Sequence, residues 1–577
     1  MPTAQPRFWR DAWSLIKPYW QSEEKFMAWL LLGTVIVLTL AMVYMSVQFN
    51  QWYNLFYNSL QEKDKHEFFH QMLRFALLAT IYIVMAVYSI YLNQMLQIRW
   101  RRWLTDKYLN RWLAERTYYR MQLIGNPADN PDQRIAEDLR LFVEETLSLS
   151  LGLLNAVVTL VSFAGILWTL SGPLAIPYNG GEIVIPGYMV WVALIYAIVG
   201  TWLTHKIGRP LIRLNFNQQR FEADFRFGLV RFRENAEGVA LYRGEQDEKR
   251  NFDGRFVNVI DNWWRIMKRQ KMLMWFTAGY SQAAVIFPFL VASPRYFSGA
   301  IQLGGLIQIS NAFGQVQGAL SWFIGAYNMF ASWKATSDRL LGFHYAIEDA
   351  RAQSQRSAGV QLSADEKTDD LVIEDMQIDL PNGKGLLTAP SAMIKSGESL
   401  LIRGPSGAGK STLFRAIAGI WPFGGGRIRL PKDFRVLFLP QRPYLPIGTL
   451  RQVVSYPHSN ADFTDERIVD VLRACGLPEL VGRLDDAQHW AQQLSPGEQQ
   501  RIAFARALLH KPGWLFMDEA TSALDESSEA VLYGLIKQRL PDTTLISIGH
   551  RPSLAGFHTR SLELKENGDG VRVLAPA

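Results

Sequence analysis

Gly404-Pro405-Ser406-Gly407-Ala408-Gly409-Lys410-Ser411-Thr412 stands between an apolar run, Ser399-Leu400-Leu401-Ile402, and a helix-like segment, Leu413-Phe414-Arg415-Ala416-Ile417. Strand, glycine-rich loop and helix, in that order, turn a G-x-x-x-x-G-K-[ST] match into a phosphate site. The glycines let successive backbone N–H groups point inward, and the helix N-terminus adds partial positive charge. Lys410 is placed to reach the β- and γ-phosphates of a nucleoside triphosphate such as ATP. The Ser411 hydroxyl would complete the shell of a magnesium ion.

Outward from this loop, length and composition bound the rest. A chain of 577 residues is too long for one domain. About half its residues are apolar and 19 are Trp, far from a disordered composition. The formal charge of +7 does not mark a nucleic-acid partner, because the cations cluster beside apolar segments. That placement points to an anionic membrane surface. Cys475 is the one cysteine, so there is no intrachain disulfide and no cysteine-based zinc site.

Near the N-terminus, Trp9, Trp13, Ile16 and Trp20 recur at helical spacing, with Arg10 and Lys17 on other faces. Residues 1–25 therefore read as an amphipathic helix lying in a membrane interface. No short apolar region with a small-residue cleavage site is apparent, so no cleaved signal peptide is expected. Six segments are expected to cross a bilayer, near 26–48, 74–92, 147–170, 188–204, 272–292 and 305–330. Two intervening connections are rich in Arg and Lys, from Arg99 to Arg120 and from Lys206 to Arg233. The other connections are nearly free of cations, so the positive-inside rule puts both termini in the cytoplasm.

Both basic connections are dense in helix formers and read as helices running beyond the membrane. Gly125-Asn126-Pro127 and Asn130-Pro131 supply breakers for the first turn, and Glu234 to Gly244 is the candidate second turn. Within the sixth segment, Gln308, Asn311 and Gln315 fall on one helical face. This stripe should face other helices or a water-filled path, while Gly314 and Gly318 allow close helix approach. Residues 350–370 turn polar and read as a linker between a membrane domain, 26–349, and a nucleotide domain, 371–577.

In the nucleotide domain follow Phe438-Leu439-Pro440-Gln441, Leu494-Ser495-Pro496-Gly497-Glu498, Trp514 to Glu519, Ser522-Ala523-Leu524-Asp525 and His550. In order and spacing these resemble the ATPase domain of ABC transporters. The resemblance implies an all-α, six-helix membrane domain of exporter type followed by an α/β P-loop domain. It makes Glu519 the general base, His550 the switch histidine and Gln441 the residue sensing magnesium and the attacking water. Asp518 joins Ser411 and Gln441 around the metal. Ser495 and Gly497, with Asp525 helping, would approach the γ-phosphate bound to a second subunit, which implies a homodimer with two composite ATP sites.

Two features depart from the family pattern. The signature reads LSPGE, so Pro496 and Glu498 are atypical, and no aromatic precedes the phosphate loop where one would stack on adenine; Leu380-Pro381 stands there. Gly419-Ile420-Trp421-Pro422 and Gly448-Thr449-Leu450-Arg451 are similar to the peroxisomal fatty-acyl transporter subfamily. Asn130 to Asp138 resembles the bacterial SbmA/BacA-related proteins, and the whole chain resembles the fused permease–ATPases of the YddA type. The resemblance implies an ATP-driven, multi-pass half-transporter of the bacterial inner membrane. Its cargo would be hydrophilic or amphipathic, peptide- or cobalamin-like. A fatty-acyl or lipid transporter and a proton-coupled peptide permease stand as alternatives.

Overall fold

A computed structural model describes residues 8–123, 130–178, 181–356, 359–365, 368–567 and 571–576. It divides into two compact units, Met1–Leu109 with Asn130–Phe343, and Asn110–Asp129 with His344–Ala577.

The first unit is built from long helices. Helix α1 (Phe8–Trp20) buries Ala12, Leu15 and Tyr19 and leaves Trp9 and Trp13 largely exposed, while Trp20 packs against Trp29 and Trp100 and one edge of Trp9 meets Phe330 and Trp333. Helix α2 (Lys25–Glu62) ends at Lys63, whose left-handed backbone (φ 58°) turns the chain into α3 (Lys65–Leu113). On α3, Leu77, Ile83, Val87 and Ile90 are each more than half exposed, an apolar surface suited to lipid rather than water. After α4 (Thr117–Leu123), which belongs to the second unit, the short α5 (Pro131–Gln133) and a π-helical turn, Arg134–Asp138, lead into α6 (Leu139–Ser171). A hairpin of β1 (Pro173–Tyr178) and β2 (Gly181–Pro186) precedes α7 (Tyr188–Glu234). Then come α8 (Ala236–Tyr242), α9 (Glu245–Phe297) and α10 (Leu303–Arg356).

Five helical stretches among the described residues are long and apolar enough to cross a membrane. They contain the first five expected segments. The sixth, 305–330, is helical throughout but lies in α10, which is not among the five. Gln308, Asn311, Gln315 and Gln317 dilute its apolar character.

Part of that polar stripe forms an interhelical seam. Asn50 Nδ2 donates to the Gln308 carbonyl at 3.1 Å, and Asn54 Nδ2 to Gln308 Oε1 at 2.6 Å. Asn58 Oδ1 accepts from the Gly304 N–H at 2.8 Å. Close approach occurs at Gly304, where a Cβ would stand 2.0 Å from the Asn54 carbonyl oxygen. Gly314 and Gly318, expected to serve that purpose, have open space on their Cβ side.

The Asn130–Asp138 stretch also has a packing role. Buried Asp138 accepts from Arg134 Nη1 at 2.5 Å and from Arg339 at 2.8 and 3.0 Å, tying the start of α6 to α10. Burial is the largest single influence on the Asp138 carboxyl and would raise it, but the two arginines together outweigh burial and hold it below its ordinary range.

The second unit is centred on a ten-stranded sheet. In chain order its parts are β3 (Gln361–Asp365), β4 (Leu371–Asp379), β5 (Gly385–Ile394), β6 (Ser399–Arg403), α11 (Lys410–Ile417), β7 (Gly424–Pro431) and β8 (Val436–Leu439). There follow β9 (Gly448–Thr449), α12 (Leu450–Ser455), α13 (Asp465–Ala474), β10 (Ala487–Gln488), α14 (Trp490–Gln493) and α15 (Pro496–His510). The unit closes with β11 (Trp514–Asp518), α16 (Glu526–Arg539), β12 (Thr544–Ile548), β13 (Arg560–Asn567) and β14 (Val571–Pro576). The strand order is β3-β7-β4-β5-β14-β13-β6-β12-β11-β8, with β9 and β10 paired separately. The parallel set β13-β6-β12-β11-β8 carries the chemistry at its C-terminal ends, the usual place for ligands in such sheets.

The 350–370 stretch is more ordered than a linker. Its first part completes α10, and β3 pairs with β7 from Gln361–Arg427 to Asp365–Pro431. As an edge strand β3 is largely exposed, which is why its composition looks like filler. The first turn expected between the second and third segments belongs to this unit as well. Glu115 and Arg116 adopt left-handed backbone (φ 51° and 60°), and Arg116 Nη1 donates to the Ala418 carbonyl at 2.6 Å. Leu123 packs against the core under β4–β6. The expected breaker Gly125-Asn126-Pro127 lies outside the described residues; Asn130 has φ 51° before Pro131 opens α5. The second turn is α8 itself, closed by Arg243 at φ 55°, with Leu241 and Tyr242 exposed at 77% and 90%.

Candidate ATP site

Strand β6 lies between β12 and β13, and Leu400, Leu401 and Ile402 are buried, which fixes where the phosphate loop begins. Gly404 has φ 146° and Gly409 φ 91°, and a Cβ on them would meet Leu564 Cβ at 3.1 Å and Leu386 Cδ2 at 3.0 Å. A side chain at either position would be both strained and crowded. Ser406 and Gly407 are exposed, Ala408 and Thr412 are buried, and Pro405 accepts a hydrogen bond from the Ala408 N–H.

Lys410 opens α11, and its Nζ donates to the carbonyls of Gly404 (2.8 Å) and Pro405 (2.9 Å). The ammonium is curled under the loop. Burial pushes its pKa down, opposed by Glu519 and Asp518. Arg572 on β14 donates to the Gly407 carbonyl at 3.0 Å, a second cation on the loop that the sequence motif does not reveal.

Asp518 ends β11, and its Oδ1 accepts from the Ser411 hydroxyl at 3.0 Å. Burial raises its pKa, offset in part by that hydrogen bond. Hydroxyl and carboxylate side by side form the oxygen donor set that suits magnesium, which keeps its remaining positions for water and phosphate. Ser411 and Asp518 therefore fit the metal; Gln441, also expected there, is hydrogen-bonded to Glu519.

The next residue carries the unusual backbone. Glu519 has φ 50°, uncommon for a residue with a side chain, and its N–H is pinned by the Ile548 carbonyl at 3.0 Å. This turn presents the carboxylate to Gln441, whose Nε2 donates to Oε2 at 3.1 Å, and to His550, whose Nε2 stands 3.3 Å from Oε1. Two residues from two other segments thus converge on one carboxylate, which can accept a proton from an adjacent water.

Ser495, Gly497 and Asp525 are held elsewhere. Ser495 caps α15 in a reciprocal box: its hydroxyl accepts from the Glu498 N–H at 3.3 Å, and its own N–H donates to Glu498 Oε2 at 2.8 Å. The Ser495 hydroxyl also donates to that oxygen at 2.6 Å. Pro496 takes the first helical position, where its missing N–H costs nothing. Both departures from the family signature are thus good helix-start chemistry. Gly497 packs with its Cβ position 3.3 Å from the Ala523 carbonyl, and Asp525 caps α16 through the Ser528 N–H at 2.7 Å. Among the described residues none of the three hydrogen-bonds to the phosphate loop.

Sequence reading missed Gln500. Buried at 2% exposure, it donates to the Gln441 carbonyl and the Ser522 hydroxyl, both at 3.1 Å, and accepts from the Ala523 N–H at 3.0 Å. It links the Gln441 loop, α15 and the segment before Asp525. Its one sequence signal is its place one turn into α15. Leu380-Pro381 sits in the β4–β5 turn, closed by the Leu380 N–H to Lys384 carbonyl bond at 2.8 Å.

Residues 15–297 match the family described as ABC transporter transmembrane region 2, and residues 387–522 match the ABC transporter family. An uncharacterized ABC transporter ATP-binding protein of Haemophilus influenzae is 40% identical, covering 97% of this chain and 92% of that one. The inner membrane ABC transporter ATP-binding protein YddA of Escherichia coli is 35% identical over 94% of each. ABC transporter D family member 2, chloroplastic, of Arabidopsis thaliana is 35% identical, covering 96% and 86%. The fold is shared with a bacterial Atm1-family ABC exporter with ATP bound (TM-score 0.69, 17% identity, 94% of each chain). This chain belongs to the ABC transporter family: a membrane half-transporter with the exporter-type fold that binds ATP and couples its hydrolysis to transport.

Proposed function

We propose that the protein works as a homodimer in the bacterial inner membrane, moving a hydrophilic or amphipathic cargo by alternating access. The observation that carries the ATPase half is the Glu519 carboxylate, turned out of β11 by its left-handed backbone and held between Gln441 and His550. In this reading Glu519 takes the proton of the attacking water, Gln441 and His550 orient it, and Lys410 leaves the loop carbonyls for the phosphates. Magnesium, held by Ser411 and Asp518, would neutralise phosphate charge. Ser495, Gly497 and Asp525 complete the site of the second subunit. Their distance from the loop's own hydrogen-bond network supports that division.

The N-terminus and the ATPase unit are assigned to the cytoplasm, a reading that the basic connections support. An inner membrane location is supported by the relative YddA. The first cytoplasmic turn, through Arg116, and the second, through α8, are assigned to coupling. The exposed Leu241 and Tyr242 support an external partner for α8.

ATP rather than a proton gradient is the proposed drive. The six segments expected to cross the membrane contain no Asp, Glu, Lys or His. Proton relays through membranes use such residues. An amphipathic cargo is supported by a cavity of about 990 Å3 among α6, α7, α9 and α10, where Arg209, His205 and Glu137 share the wall with Leu141, Phe323 and Tyr327. The test is uptake by proteoliposomes with ATP alone or with a pH gradient alone. Accumulation is expected only with ATP.

A further inference from the structure

A second cavity, of about 480 Å3, opens among α2, α3, α6 and α10. Its walls carry Thr39, Ser46, Asn93, Asn155, Thr159 and Gln315. All but Asn93 fall inside segments expected to cross the membrane, where an unpartnered polar group is costly. Yet among the described residues Asn93, Asn155, Thr159 and Gln315 make no side-chain hydrogen bond, and Asn93 Oδ1 is buried without a partner. Gln315 thus separates from the rest of its stripe: Gln308 and Asn311 are spent on α2, whereas Gln315 faces the cavity.

The lining dictates what could satisfy these groups. Thr39 and Ser46 donate their protons to the Val35 and Met42 carbonyls at 2.8 and 3.0 Å, so they face a ligand as acceptors. The amides of Asn155 and Gln315 offer donors and acceptors together. No carboxylate, ammonium, guanidinium or imidazole lines the cavity. A charged group entering it would lose its hydration without finding a counter-charge. The volume lies in the range of small-molecule sites.

We propose that this cavity is a cargo subsite for an uncharged, amide-rich ligand part, such as a stretch of peptide backbone. The assignment rests on the transport reading above, and its test avoids ATP hydrolysis. Equilibrium dialysis of radiolabelled N-acetyl-Ala-Gln-Ala-amide would be run against the nucleotide-free, full-length protein in nanodiscs, alongside the unblocked, zwitterionic tripeptide. The blocked peptide should bind more tightly. Gln315→Leu and Asn155→Leu, on separate helices, should each weaken it by about tenfold, one hydrogen bond's worth. Neither should lower Tm, since each removes an unpaired polar group. The subsite is overturned by equal binding in wild type and both variants, which would leave a merely hydrated cavity. It is also overturned by preference for the zwitterion, by no binding of the blocked peptide, or by losses seen only with a lowered Tm. Failure of ATP-driven uptake with intact peptide binding would count against the transport reading instead.

Discussion

Gln441 donates its side-chain amide to the Glu519 carboxylate at 3.1 Å, so the loop after β8 and the turn after β11 share one hydrogen bond. Gln500 holds that loop from behind through the Gln441 carbonyl. A movement of the Gln441 loop therefore shifts a partner of the proposed base directly.

Replacing Glu519 by Gln keeps a side chain that can still bond Gln441 but cannot take a proton. ATP should bind normally, and steady-state hydrolysis should fall by roughly 10²–10⁴-fold. Phosphate release assayed beside ATP-dependent thermal shift checks both; wild-type turnover would remove Glu519 from the role.

Asp518 tests the metal assignment through a stability change of opposite sign. Its pKa is raised in the folded protein, chiefly by burial, so the ionised form costs stability near neutral pH. Ligand-free protein should gain stability from this group as pH falls through the folded pKa, the gain ending at the unfolded value. Asp518→Asn should accordingly raise the Tm of ligand-free protein while abolishing the extra shift that magnesium adds to ATP. A lowered Tm with the magnesium effect intact would contradict the assignment.

Glu498→Ala breaks the box on Ser495 and should cost about 0.3–1.5 kcal/mol in chemical denaturation. Glu498→Gln keeps the geometry but removes a negative charge beside the Ser495 hydroxyl. It should therefore strengthen ATP-driven association of the ATPase units, read as a lower half-saturating ATP concentration.

Much of this site was legible because its parts are local. Strand, loop and helix place Lys410 and Ser411, and β11 delivers Asp518 and Glu519 in succession. The convergence of Gln441 and His550 on Glu519 is tertiary, and the resemblance supplied roles but not this geometry. Pro496 and Glu498 looked like departures because a consensus hides the helix-start grammar they obey. Arg572 and Gln500 escaped notice for the opposite reason, having no motif of their own. In the membrane half, helical periodicity put Gln308, Asn311 and Gln315 on one face but could not divide them between a seam and a cavity. Nor could it distinguish Gly304, where two backbones meet, from Gly314 and Gly318. The polar edge strand β3 has the composition of a linker, so the sheet begins before the expected boundary at 371.

The coupling assignment for α8 rests on Glu234 and Glu237 beside the exposed Leu241 and Tyr242. Glu237→Lys should leave the protein folded and able to bind ATP, with cargo-stimulated hydrolysis and transport lost together. A solvated face with no partner would instead shift stability by no more than about 0.5 kcal/mol and leave transport at the wild-type rate.

The central claim is that two chains build each ATP site, one giving Lys410 and Glu519, the other Ser495. Differently tagged Lys410→Ala and Ser495→Arg chains, co-expressed and purified through both tags, give dimers with one site doubly damaged and one intact. Hydrolysis by these heterodimers should recover to about half the wild-type rate if the two sites act independently, while each parental homodimer stays silent. Heterodimers as inactive as their parents, or a Ser495→Arg homodimer with wild-type hydrolysis, would contradict the account.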